Sequence, residues 1–411
     1  MRHRLIRRLI TASALVLMTA LALEGLLRLL WGPVELRQHY LWAVNTHLVD
    51  LSFAEFRGRE ARIRAARARQ GMERGRSHPV YGWTYNPTFR LDDPEVEIHI
   101  NAHGLRGEEF PLAKPAGEVR ILCLGGSTTA GEEVREAETY PAQLEALLRR
   151  RCPGRAIRVI NAGVPTYDLG RSLTQYALDL YRLEPDFVTI YHGINDLFDH
   201  TAGGPEIRPA ANYTGRAVAP FVFEGDGDEE LSLRDCLRPL VRRSQVLGLL
   251  RLAWSSRGPR RPALAAPDPD GVATFAAYYR ALVREIAATG AVAVPMTFAL
   301  AYPGDFDAAD RRKVEASFAI WLRRSGIPLA VGREIIDDQN RAAAELARAA
   351  GLPLCDAAGA VPPDRRHFRD VCHLTAAGNQ AIAGALAETL VPLLTGGEQP
   401  ADLQSDLARN R

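Results

Sequence analysis

From Val119 onward, short apolar runs alternate with longer segments of helical periodicity, and this alternation limits the folds open to the chain. The apolar runs are typical of buried strands, and they are VRILCLGG, IRVINAG, FVTIYHG, VAVPMTFA and LPLCDA. The helical segments include YPAQLEALLRR, SLTQYALDLYRL, FAAYYRALVREIAAT and QNRAAAELARAAG. Strands that alternate with helices form a mostly parallel sheet covered on both faces. The sequence therefore predicts an α/β fold, a doubly wound three-layer α/β/α sandwich.

Candidate reactive residues follow these strands, at the edge where a parallel sheet gathers its functional groups. Ser127 follows the first strand, Gly163 ends the second and Asn195 follows the third. Near the C-terminus, RDVCHLTAAGN contains Asp370 and His373. A serine hydroxyl becomes a good nucleophile when a histidine takes its proton, and the histidine needs an acceptor that orients it. These residue types therefore predict nucleophilic catalysis.

The order and texture of these four blocks resemble the SGNH hydrolases, also called the GDSL family of esterases. The resemblance covers about residues 117–395 and includes the wider pattern LxPDxVxIxxGxND, which runs from Leu183 to Asp196. It implies a flavodoxin-like sheet and cleavage of an ester through a seryl-acyl intermediate. One departure is that Gly126 stands where the family often has aspartate, which puts the shape of the site in doubt rather than the reaction.

The resemblance also assigns roles to individual residues. It implies Ser127 as the nucleophile, His373 as the base and Asp370 as the acceptor that orients the base. It further implies an oxyanion hole formed by the backbone N–H groups of Ser127 and Gly163 and by the side-chain amide of Asn195.

The N-terminal segment predicts a membrane anchor. Four arginines within residues 1–8 precede an apolar run over residues 9–31, which is about the ~20 residues that a bilayer-spanning helix needs. A cleaved signal peptide is the alternative, because Ala20 and Ala22 form a small-x-small cleavage pattern. We expect a single-pass protein of the inner membrane with a cytoplasmic basic flank, and in either case a catalytic domain in the periplasm.

The remaining chain divides by composition into four parts. They are a juxtamembrane helical stalk (32–80), a short β prelude (81–116), the hydrolase domain (117–396) with an insertion at about 201–270, and a polar tail (397–411). The prelude residues Asn101, Gly104 and Arg106 match membrane-anchored bacterial SGNH proteins associated with surface glycans.

Charge and motif content exclude several other functions. The chain has 51 basic and 49 acidic residues, and a net charge of +2 gives no field that favours nucleic acid. The lysine that completes a P-loop is absent after the GGSTTAG turn. The five cysteines contain no C-x-x-C spacing, and no second cluster complements HFRDVCH as a metal site. We therefore expect no metal and no cofactor.

These observations favour a serine esterase that deacylates an O-acylated carbohydrate of the cell envelope or another small ester. An O-acyltransferase of extracytoplasmic polysaccharide would use the same Ser127, Asp370 and His373 with a sugar hydroxyl as acceptor. A third possibility is a catalytically silent glycan-binding or scaffold protein that keeps the fold, and the sequence does not decide the oligomeric state.

Overall fold

The computed structural model describes most of the chain in several ranges. They are residues 2–31, 40, 43–44, 47–48, 50–70, 74–200, 246, 264–323 and 327–396. Most of the predicted insertion and the whole predicted tail over 397–411 lie outside the described residues.

The strands and helices follow the predicted alternation. The strands are β1 (Gly75–His78), β2 (Gly82–Tyr85), β3 (Arg90–Asp92), β4 (Glu97–His99), β5 (Glu118–Gly125), β6 (Ala156–Gly163), β7 (Phe187–Tyr191) and β8 (Val292–Pro295). The helices are α1 (Arg2–Trp31), α2 (Phe53–Gln70), α3 (Ser127–Ala130), α4 (Tyr140–Arg151), α5 (Leu169–Leu178), α6 (Pro269–Ala288), α7 (Ala308–Arg323), α8 (Leu329–Ala349), α9 (Ala357–Ala360) and α10 (Ala376–Thr395).

The main sheet is parallel and has the order β6-β5-β7-β8. Because the chain moves outward from β5 in both directions, the carboxyl end of β5 is the point where the strand order reverses. The predicted fifth strand, LPLCDA, is reduced to a single parallel bridge between Met296 and Cys355. The predicted α/β fold with a mostly parallel sheet is confirmed, and its fifth strand is shorter than expected.

Alternate residues of β5 enter two different cores, as the period of two in a strand requires. Ile121 and Cys123 pack with α4 and α10 on one face of the sheet. Leu122 and Leu124 pack with α5 and α6 on the other face. All four side chains are fully buried. The sheet is therefore covered on both faces and forms the middle of three layers.

The β prelude is two antiparallel pairs, β1 with β2 and β3 with β4. Val96, Ile98 and Ile100, which alternate with polar residues in the sequence, are buried. They share a core with the aromatic side chains of β2 and with Tyr167, which precedes α5. The prelude begins at Gly75, inside the segment predicted to be the stalk, so the predicted boundary at residue 81 is too late.

Arg120 joins the prelude to the sheet. Its guanidinium is fully buried and donates hydrogen bonds to several backbone carbonyls and one carboxylate. The acceptors are Pro111 O, Leu112 O, Ala113 O and Leu183 O at 2.8–3.3 Å, and Glu118 Oε1 at 2.7 Å. A buried cation is tolerated where its donors are satisfied in this way.

Helix α2 lies within the predicted stalk (32–80), and one of its faces packs on the prelude. Ile63 and Ala66 pack against the prelude core, and Arg62 pairs with Asp93 at 3.1 Å. The helix lacks a strong apolar stripe, but Arg59 and Arg62 pair with Glu95 and Asp93 of the prelude, whereas Arg57, Arg64 and Arg69 are exposed.

Helix α1 covers the segment in which a membrane anchor was predicted. It is 30 residues long. In the part of the chain that the structure describes, no helix combines the length and apolar character needed to cross a bilayer. The anchor stays a prediction from the sequence.

Candidate active site

Ser127 lies at the carboxyl end of β5, on a sharp turn into the short helix α3. Gly126 precedes it, and a Cβ atom at Gly126 would lie 2.6 Å from Asn195 Nδ2 and 3.2 Å from Tyr167 O. A side chain at residue 126 would therefore displace the amide of Asn195. This crowding gives a physical reason why glycine stands here in place of aspartate.

Asp370 and His373 lie on a tight loop before α10, which we call the catalytic loop (residues 364–375). A bridge between Phe368 and Leu374 closes its two arms, and Arg369 N–H donates to His373 O at 2.8 Å. A Cβ at Gly378 of α10 would lie 2.2 Å from a carbonyl oxygen of this loop. Glycine therefore lets the loop pack directly on the helix, which fixes the positions of both side chains.

The structure brings Ser127, His373 and Asp370 into one hydrogen-bonded chain, although Ser127 is far from the other two in sequence. His373 Nε2 lies 2.8 Å from Ser127 Oγ, and His373 Nδ1 lies 2.7 Å from Asp370 Oδ2. The second oxygen, Asp370 Oδ1, accepts the backbone N–H groups of Cys372 at 2.9 Å and His373 at 2.8 Å. Both carboxylate oxygens are therefore engaged, so the carboxylate plane is fixed.

Burial and charge act in opposite directions on the two ionisable groups. Burial disfavours the charged form of each, but the ion pair and hydrogen bond between them prevail. The pKa of Asp370 is lowered below its ordinary value, and the pKa of His373 is raised well above its ordinary value. Glu133 Oε1, 3.8 Å from His373 Nδ1, also raises the pKa of His373. The pair thus favours the ionised carboxylate and the imidazolium.

Asn195 lies beside the serine turn, in the 3₁₀ helix Ile194–His200 that follows β7. Its Nδ2 donates to Tyr167 O at 2.9 Å, and the second hydrogen of the amide is available for another acceptor. The structure therefore brings Asn195 to the turn that carries Ser127.

The oxyanion role of the Gly163 backbone stays a prediction. The backbone N–H of Gly163 donates to Asn161 Oδ1 at 3.0 Å. A Cβ at Gly163 would lie 2.3 Å from Ala130 N and 2.8 Å from Thr129 Cβ. Glycine is needed here because α3 packs directly against β6.

Thr166, which the sequence analysis did not single out, has a backbone φ of +67°. A β-branched residue rarely adopts this conformation, so the surrounding contacts must hold it. Trp83 Nε1 donates to Thr166 Oγ1 at 3.2 Å, and Arg171 Nη1 donates to Thr166 O at 3.3 Å. The next residue, Tyr167, holds Asn195. The prelude therefore supports a strained loop at the edge of the site, and no local sequence signal predicts this.

Two other polar residues of the LxPDxVxIxxGxND pattern, Asp186 and Asp196, bind backbone groups of neighbouring elements. Asp186 Oδ2 accepts the backbone N–H of Arg120 at 2.7 Å, and Asp196 Oδ1 accepts the backbone N–H of Leu169 at 2.8 Å. His192 is fully buried, and this burial lowers its pKa to about 3. We therefore assign these side chains to holding strands and helices rather than to proton transfer.

Potential metal ligands also come together in the described residues, within 4.8 Å of one another. One group is Asp92, Glu97 and His99 in the prelude, and two groups share Asp370. The Asp370 oxygens already accept hydrogen bonds from the catalytic loop, which is the pattern of an orienting carboxylate. This donor set therefore fits a serine site better than a metal site.

A doubly wound α/β domain with a serine, a histidine and an aspartate hydrogen-bonded at the carboxyl edge of its sheet has the arrangement of a serine hydrolase. The sequence profile of the GDSL-like lipase/acylhydrolase family matches residues 123–381, and the chain belongs to this family. The chain is thus an ester-bond hydrolase of the SGNH/GDSL superfamily. The predicted family and enzyme class are confirmed, and the silent scaffold is set aside.

Comparison with solved structures gives similar proteins of low sequence identity. An alpha/beta hydrolase enzyme from the metagenome of Lake Arreo, Spain, is 18% identical, with 67% of this chain and 96% of that chain covered and a TM-score of 0.38. An acetylxylan esterase from Geobacillus stearothermophilus is 15% identical, with coverages of 66% and 94% and a TM-score of 0.38. A protein described as a GDSL-like lipase from Parabacteroides merdae is 13% identical, with coverages of 67% and 96% and a TM-score of 0.39. The search of curated proteins gave no match.

Proposed function

We propose that this ester hydrolase uses Ser127 as its nucleophile, His373 as its general base and acid, and Asp370 to orient the His373 ring. One observation carries the proposal, namely the continuous chain of hydrogen bonds from Ser127 Oγ through His373 to Asp370 Oδ2, at 2.8 and 2.7 Å. These distances are in the range that proton transfer between a nucleophile and its base requires.

The proposed reaction has two halves. Ser127 Oγ forms a bond to the acyl carbon while His373 Nε2 takes the hydroxyl proton, and a tetrahedral intermediate results. The bond to the alcohol then breaks as His373 returns the proton to the departing oxygen, which leaves an ester on Ser127. A water molecule attacks this ester with His373 again as base, and the acid leaves as the Ser127 hydroxyl is restored.

The oxyanion of each tetrahedral intermediate needs fixed donors. We assign this role to the backbone N–H of Ser127 and to the second hydrogen of Asn195 Nδ2, since the first hydrogen goes to Tyr167 O. Loss of one such donor costs about 3–4 kcal/mol in other serine hydrolases. The hydrogen bond to Tyr167 orients the amide before substrate arrives, so little reorganisation is needed.

We propose an O-acylated carbohydrate of the bacterial cell envelope as the substrate, with the active site outside the cytoplasm. Support comes from the sequence, where an arginine-rich flank precedes the apolar run at 9–31 as in exported chains. The resemblance of Asn101, Gly104 and Arg106 to bacterial SGNH proteins associated with surface glycans points to the same compartment.

The test compares full-length protein with Ser127→Ala on a soluble acetyl ester and on acetylated polysaccharide, with released acetate as the readout. We expect the variant to lose essentially all turnover on both substrates. Equal rates for the two proteins would overturn the proposal. If acetyl groups appear only on an added polysaccharide acceptor, the activity is transfer rather than hydrolysis. Protease accessibility in spheroplasts tests the location, and a domain that stays protected until the inner membrane is lysed would contradict export.

A further inference from the structure

We propose that His47 is a positioning residue for Asp370. This inference rests on the roles proposed above for Ser127, His373 and Asp370. His47 belongs to the segment before α2, well ahead of the residues that match the family profile. Its Nε2 lies 3.6 Å from Asp370 Oδ2, the oxygen that also faces His373. The active site therefore includes a side chain from outside the predicted hydrolase domain.

Backbone and apolar contacts hold His47 in place through its neighbour. Leu48 N–H donates to the backbone carbonyl oxygen of Arg369 at 2.5 Å, and Arg369 immediately precedes Asp370 in the chain. The Leu48 side chain is buried in the same core as Val371 of the catalytic loop. His47 itself is only 9% exposed. The segment is thus packed into the domain at the position of the catalytic aspartate.

Charged contacts hold the other end of this segment. Asp50 pairs with Lys313 of α7 at 3.0 Å and with Arg365 of the catalytic loop. We call His47, Leu48 and Asp50 the strap. Since the strap contacts the catalytic loop at Arg365, Arg369 and Asp370, it links both the beginning and the middle of that loop to the body of the domain.

The chemistry of Asp370 explains why a second imidazole is useful. The Asp370 side chain is 4% exposed, and a buried anion is costly unless donors and opposite charge surround it. Oδ1 has two backbone N–H donors, whereas Oδ2 faces the rings of His373 and His47. Burial raises the pKa of Asp370, and His373 and then His47 lower it.

Two other charged side chains, Glu133 and Arg369, lie near the His373–Asp370 pair, and their charges are opposite in sign. Glu133 lies 3.8 Å from His373 Nδ1, and Arg369 Nε lies 3.8 Å from Glu133. Glu133 also lies close to His47 and Asp370, since one N or O atom from each of these three side chains lies within 4.8 Å of the other two. Without His47, the carboxylate would lose its second imidazole at Oδ2, so its rotation and its charge would be held less firmly. The His373 ring would then be oriented less well toward Ser127.

The test measures kcat, KM and the low-field proton resonance of the His373–Asp370 hydrogen bond in full-length protein. We expect His47→Leu to lower kcat by about 10-fold, the lower end of the effect of removing an outer partner of a site. KM should stay within about twofold, because His47 acts through Asp370 rather than on substrate. The low-field resonance should shift or broaden. His47→Gln, which keeps an N–H donor, should recover most of kcat and the resonance.

His103→Leu is the matched control, because its ring contacts Phe110 O in the prelude at 2.8 Å and should leave kcat and the resonance unchanged. Normal kcat in His47→Leu beside an inactive Ser127→Ala would overturn this inference and leave the proposed function standing. An active Ser127→Ala would overturn both. If His47→Leu does not fold, His47→Gln decides, since a low kcat with a wild-type resonance in that variant contradicts a positioning role.

Discussion

Asp370→Asn should move the proton of the neutral His373 ring from Nδ1 to Nε2 without changing the shape of the site. In the wild type, Asp370 Oδ1 accepts two backbone N–H groups, from Cys372 and His373. In the variant, the amide oxygen must take this place, because an NH2 group there would face two donors. The amide NH2 group then faces His373 Nδ1, which can accept its hydrogen bond only by giving up its own proton.

The size of the effect follows from this geometry. With the proton on Nε2, His373 has no lone pair to accept the hydrogen of Ser127 Oγ, which lies 2.8 Å away. The analogous change in other serine hydrolases lowers kcat by about 10,000-fold. This corresponds to about 5 kcal/mol of barrier, at roughly 1.4 kcal/mol for each factor of ten.

The assay is kcat on a soluble acetyl ester, with thermal unfolding as the check on folding. Asp364→Asn is a matched control on the same loop, since Asp364 caps backbone N–H groups at the beginning of the loop and does not contact His373. We expect this control to stay within about threefold of the wild type, because asparagine caps backbone N–H groups about as well as aspartate does. If Asp370→Asn keeps more than a tenth of wild-type kcat, the reasoning from tautomer control is refuted.

Three further predictions follow from the described contacts. The kcat/KM profile should lose activity as pH falls through the raised pKa of His373, because only the neutral ring accepts the serine proton, and an acid limb well below pH 6.5 would contradict this. Gly378→Ala should lower stability by about 1–3 kcal/mol in thermal unfolding, whereas Gly384→Ala on the same helix, where a Cβ meets nothing within 4 Å, should not; equal shifts would refute the packing argument. Gly126→Ala should lower kcat by up to about 100-fold by displacing the amide of Asn195, and unchanged kcat would remove that amide from the oxyanion site.

The fold could largely be predicted because its sheet is buried on both faces. Continuous apolar runs such as ILCL in β5 are read easily when both faces of a strand need apolar side chains. The prediction of LPLCDA as a full strand was wrong. The run lies at the sheet edge, where only Cys355 pairs with the neighbouring chain segment, through a bridge to Met296. The packing of helix α2 was not predicted, since ion pairs such as Arg62 with Asp93 place a polar helix against the prelude without an apolar stripe.

The candidate site shows a similar division. Ser127, Asp370, His373 and Asn195 come together because each follows a strand or precedes a helix that the topology brings to one edge. The position of Gly163 was predicted, but not its contacts, since the residue type does not say which neighbour requires the missing side chain. His47 could not be found from sequence, because long-range packing of a short segment creates its contact with Asp370.

Arg120 makes the prelude and the hydrolase domain one structural unit. Residues 111–113 precede the predicted boundary at 117, yet their carbonyl oxygens accept hydrogen bonds from a guanidinium fixed in the central sheet. A recombination event or an engineered fusion that joins a foreign leader at residue 117 would keep every residue of the proposed triad. It would also leave the buried guanidinium of Arg120 without three of its hydrogen-bond acceptors. The unit that can be exchanged between proteins therefore includes the prelude. The bounds of the family match do not mark the bounds of the segment that folds as one unit.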